Sequence, residues 1–144
     1  MNSYTREESI LKIILIMIFI VALVTGLNLF IRGVGGIPGF QGQINASIDN
    51  ELRFLSIFWV AFGYFCFSVS KGIRENRKYI PFIALIFFLS GVGRLFSLFS
   101  VGEPVPLFIA VMALELLLPI LIFGLYFKIK RNENLPLQTN LNRS

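Results

Sequence analysis

Four apolar runs of about 20 residues, separated by short polar stretches, limit this chain more than anything else in it. A run of that length can cross a bilayer as an α-helix, the form in which a single segment satisfies its own backbone hydrogen bonds without water. The runs lie at about residues 10–31, 51–70, 80–100 and 105–127. With 56% hydrophobic residues and a mean hydropathy of +0.77, the chain falls outside ordinary soluble composition. The expected fold is all-α: an integral membrane four-helix bundle, built as one domain over residues 1–131, with a polar disordered tail over residues 132–144.

Local signals set the expected boundaries. The first run, KIILIMIFIVALVTGLNLFI, is too long for a signal-peptide core and lacks a small-residue cleavage site, so it is expected to stay in the mature protein. Near its far end, Thr25, Gly26 and Asn28 either pack against a neighbouring helix or mark the polar edge of a membrane, and the sequence does not choose. From Arg32 to Asn50, five glycines and a proline predict a connector without regular structure. Asp49 or Asn50 reads as the N-cap of the second helix, with Glu51 complementing its positive end. Along that helix Arg53, Ser56, Val60, Gly63, Phe67 and Ser70 share one face, expected to look inward. Lys71 to Tyr79, KGIRENRKY, reads as a polar loop, and Pro81 sits at a permitted first-turn position of the third helix. There Gly93 and Ser97 form a small-xxx-small pair suited to close helix approach.

The net charge of +5 does not point to nucleic acid, because the basic residues sit at the ends of the apolar runs. Arg6, Lys12, Lys71, Arg74, Arg77, Lys78, Lys128, Lys130, Arg131 and Arg143 fall on one side, and Arg32 and Arg53 on the other. The positive-inside rule then places both termini in the cytoplasm and Glu51, Arg53 and Glu103 at the outer face. With no histidine and one cysteine, the chain offers no internal disulfide, no dithiol and almost no transition-metal chemistry, and no cofactor is expected. Cys66, within FGYFCFSVS, reads as a small buried or lipid-facing hydrophobe, with palmitoylation as the alternative.

Two charges interrupt the apolar runs. Arg94, in GVGRLFSLFSVGEPVP, lies roughly 9 Å inside the end of the third helix, and Glu115 lies roughly 15 Å inside the fourth. Ionisable groups at such depth are unfavourable unless they face protein and find partners, so this pair is the default candidate site. Glu51 and Glu103 are rival partners should Arg94 reach outward. Gly102 and Pro104 are suited to the tight turn between the two helices. Pro119 removes the amide that would bond the Glu115 carbonyl, leaving a bend and a free acceptor beside the carboxylate.

The segments SIDNELRFLSIFWVAFG, GVGRLFSLFSVGEPVP and ALELLLP, in that order and spacing, resemble the bacterial membrane proteins grouped as domain of unknown function 4345. The resemblance spans roughly Val24 to Phe127 and leaves the C-terminal tail outside. It implies a compact four-helix membrane protein of bacteria, with Glu51, Arg53, Arg94, Ser97, Gly102, Pro104 and Glu115 at signature positions, and it implies no activity; the expected location is the bacterial inner membrane.

The function expected first is a non-catalytic interaction or accessory module, whose partners are the lipid bilayer and a second copy or another membrane protein. The alternative is an outward-opening pocket between helices that binds or moves a small or lipophilic molecule, with Arg94 and Glu115 as polar anchors. An enzyme would have to use Glu115 as acid or base and Arg94 to stabilise charge, and without a histidine, metal ligands or an activated nucleophile none is expected.

Overall fold

The computed structural model describes the backbone of residues 5–141 and the side chains of residues 5–132. Among these residues it contains helices and no strands. Four long helices are α1 (Arg6–Arg32), α2 (Ala46–Ser70), α4 (Ile80–Val101) and α5 (Pro106–Leu141), with a short α3 (Ile73–Asn76) before α4. Each long helix contains a stretch long and apolar enough to cross a membrane. The described residues form two compact units, one of Lys12–Gly72 and one of the described residues up to Leu11 together with those from Ile73.

In the first unit α1 and α2 approach through small side chains. The α2 face carrying Ser56, Gly63 and Ser70 is buried. A Cβ on Gly63 would lie 2.6 Å from the Cβ of Ala22, and one on Gly26 would lie 2.5 Å from Val60 Cγ2, so only glycine permits this backbone separation. Phe19 stacks on Phe67 with ring centroids 4.8 Å apart. Thr25 and Gly26 thus serve helix packing: Trp59 Nε1 donates to Thr25 Oγ1 at 2.9 Å.

The connector between these helices is more regular than its glycines suggest. Gly33–Gly36 forms a 3₁₀ turn, and α2 begins at Ala46 instead of near Glu51. Its N-cap is Asn45, not Asp49 or Asn50: Asn45 Oδ1 accepts from Ser47 N at 2.9 Å and Ile48 N at 3.3 Å. Asp49 instead accepts from Val34 N across the hairpin and from Arg53 one turn further along α2.

In the second unit α4 and α5 pack on one another. The buried positions of α4 are Ile80, Ile83, Ala84, Phe87 and Gly91, the three-and-four spacing of one helical face. On α5 they are Glu115, Pro119, Ile122, Leu125 and Ile129. The close approach falls at Gly91 and not at the Gly93/Ser97 pair: a Cβ on Gly91 would lie 2.8 Å from Leu116 Cδ2 and 3.2 Å from the carbonyl carbon of Glu115, while Gly93 has nothing within 4 Å. Gly93 is two positions off the packed face, which a small-residue pattern alone cannot detect. The polar connector Lys71–Tyr79 holds α3 and a 3₁₀ turn at Arg77–Tyr79. Gly102 ends α4 with φ at 120°, in the region that favours glycine, and α5 starts at Pro106, a first-turn proline. Beyond the apolar run α5 continues to Leu141, past the expected end near Phe127 and through part of the segment expected to be disordered. The straight-chain residues Lys128, Lys130 and Arg131 sustain a helix, and no glycine or proline interrupts the backbone until Pro136. Residues 142–144 of that segment lie outside the described residues.

Candidate functional site

Three carboxylate–arginine pairs carry the polar chemistry of the described residues, and each belongs to a different part of the fold. The first joins α4 to α5. Gly91 lets the α5 backbone come close at Glu115, and Arg94, one turn further along the same face, donates from Nε to Glu115 Oε2 at 2.8 Å. Glu115 is only 4% exposed, whereas the Arg94 side chain is 39% exposed. The Phe108 ring lies 5.6 Å from the guanidinium carbon, within cation–π range. Pro119, one turn beyond Glu115, is buried and cannot bond the Glu115 carbonyl.

The second pair locks the end of α1. Arg53 Nε donates to Asp49 Oδ2 at 2.8 Å, and its Nη1 donates to the carbonyls of Phe30 at 2.6 Å and Ile31 at 3.0 Å. Those carbonyls belong to the last turn of α1, where the helix has no amides of its own to offer. Asp49 Oδ1 accepts from Val34 N at 2.8 Å, and Asn28 Nδ2 donates to Gly36 O at 2.9 Å. Gly33 takes φ +55° directly beside Asp49, where any Cβ would collide with the carboxylate. Arg53, a candidate ligand residue in the sequence, is thus a helix cap. Asn28 closes the 3₁₀ turn.

The third pair was not legible as a site. Thr5 and Glu8 form a capping box at the start of α1: Thr5 N donates to Glu8 Oε2 at 2.7 Å, and Glu8 N donates to Thr5 Oγ1 at 3.3 Å. Arg74 of α3 adds two bonds to the same carboxylate, Nε to Oε1 at 2.5 Å and Nη2 to Oε2 at 3.0 Å. Glu8 is 2% exposed, and with Thr5, Arg74, Ile129 and Asn132 it lines a pocket of about 330 Å³. The Thr-x-x-Glu spacing could have announced the cap. Nothing in KGIRENRKY distinguishes Arg74 from the bases around it.

The remaining sequence candidates stand apart from these pairs. Ser97 and Glu103 are exposed, Glu103 in the turn beside Gly102 and Pro104. Glu51 is exposed on α2, beside a shallow apolar groove lined by Ser47, Ile48, Leu52 and Leu55. Among the described residues no three of His, Cys, Asp or Glu gather as metal ligands would, and Cys66 is fully buried.

Four long helices apolar enough to span a membrane, with their buried acids joined to arginines, define a small all-α protein of the kind that can cross a bilayer several times. The chain belongs to the family described as Domain of unknown function (DUF4345), whose sequence profile matches residues 10–126, most of its length. Among curated proteins and among solved structures, nothing matches it.

Proposed function

We propose that this is a multi-pass protein of the bacterial inner membrane, with both termini in the cytoplasm, that acts as a non-catalytic interaction or accessory module. The observation that carries the reading is where the apolar surface lies. No more than 28% of the most apolar stretch of any long helix is buried within the chain, so most of that surface is left for lipid or a partner. The buried carboxylates Glu8 and Glu115 are engaged by Arg74 and Arg94, and among the described residues no buried side-chain nitrogen or oxygen lacks a partner. Charges paired in this way are costly to break, which supports a structural role for them. The basic residues around α3 and the end of α5 support the cytoplasmic assignment of that end.

Two measurements test the two halves of this reading. Alkaline phosphatase fused after Arg131 should be inactive, and fused within residues 39–47 it should be active; the reverse pattern would overturn the topology. A photoreactive residue at Leu117, 64% exposed on α5, should crosslink in cells to a discrete protein, a second copy or another membrane protein. Adducts to lipid alone would remove the interaction reading.

A further inference from the structure

Arg94 has more donors than the fold uses. Its Nε is held by Glu115, and among the described residues Nη1 and Nη2 meet no acceptor. The Phe108 ring backs the guanidinium without taking an in-plane hydrogen bond. Ser90 and Ser97, about one turn to either side on α4, are both exposed, so this side of the arginine is open. Arg94 sits roughly 10 Å before the end of α4 at Val101. In the membrane reading above, on which this inference rests, unsatisfied guanidinium donors at that depth are unfavourable unless an acceptor comes to them.

The geometry points to a phospholipid site at Arg94, in which the phosphodiester oxygens of a glycerophospholipid accept from Nη1 and Nη2 while Glu115 holds Nε. The planar fork of a guanidinium matches two phosphate oxygens, a fit that a single carbonyl cannot provide. The Arg94–Glu115 pair is formally neutral, so it draws a free anion weakly. An amphiphile also brings acyl chains, and the end of α4 exposes Phe96 and Phe99 at 73% and 81%. Glu115 is the positioning residue: its burial and its bond to Nε fix the guanidinium at this depth.

Native mass spectrometry of the full chain, delipidated in detergent and titrated with a palmitoyl-oleoyl phosphatidylglycerol, tests the site. The wild type should retain one lipid per chain. Arg94→Leu strands a buried carboxylate and is expected to fold poorly, so the informative variant is Arg94→Leu combined with Glu115→Leu, which leaves no unpaired charge; its helical circular dichroism should match the wild type. Its lipid-bound fraction should fall about tenfold or more, the loss expected for charge-assisted hydrogen bonds. Equal lipid retention by a folded double variant would overturn the proposal. Dioleoylglycerol, which has ester carbonyls but no phosphate, should not compete, and neither should inorganic phosphate. Competition by the first would replace the phosphate with a carbonyl ligand, and competition by the second would make the site one for a free anion; either result rejects the phospholipid. Because the fusions above report topology without reference to lipid, a wrong topology and a missing lipid site give separate failures.

Discussion

Within Lys12–Gly72, α1 and α2 meet through residues with almost no side chain and keep their charged groups at the helix ends, whereas α4 and α5 are joined by a short turn and carry a charged pair inside the apolar zone. The difference shows in what each contact tolerates. At Gly63 the nearest obstacle to a larger residue is the Cβ of Ala22, which no rotation can move; at Gly91 it is Cγ and Cδ2 of Leu116, which can turn, with the Glu115 carbonyl carbon behind them at 3.2 Å. Packing therefore sets the register of the first pair. The second adds to its packing a directed ionic hydrogen bond between Arg94 and Glu115.

The α4–α5 contact is most sensitive at Arg94. Arg94→Leu leaves the buried Glu115 carboxylate without its partner and should destabilise the protein by about 3–5 kcal/mol. Adding Glu115→Leu should recover much of that loss in thermal unfolding, and strictly additive losses would show that the pair does not couple the helices. In the first pair the corresponding test is steric: Gly63→Ala should lower stability by about 1–3 kcal/mol through overpacking, and Gly91→Ala by less. Equal shifts in melting temperature for the two would show that both contacts are equally tight. Removing the cap with Asn45→Ala should cost about 1 kcal/mol and fray the start of α2 in hydrogen exchange. Smallest of all, Glu103→Gln in the exposed turn should leave folded yield unchanged, while Gly102→Val, forced to a φ of 120°, should reduce it.

How far the chain could be read depended on how local each cause was. The long helices follow from apolar runs of spanning length, and the glycine turn follows from Gly102 and its neighbouring prolines. The contact of Arg94 with Glu115 was accessible because the two helices are consecutive and joined by a few residues. Asn45, Asp49 and Asn50 are all residue types that cap helices, and the choice among them rested on Val34 and Arg53, which claim Asp49. Glu8 and Arg74 lie 66 residues apart, and no spacing rule connects them. Gly91 and Gly93 differ only in the side of the helix they occupy, which the partner helix decides.

Trp59 is the chain's one tryptophan, and its indole N–H is bonded to Thr25 across the α1–α2 contact. Its intrinsic fluorescence is thus a built-in optical readout of that hairpin. Losing the bond as α1 and α2 separate would change the emission, whereas backbone circular dichroism sums over every helix. Melting curves that coincide by the two signals would mean that both helix pairs come apart as one cooperative unit, and curves that diverge would show which pair yields first.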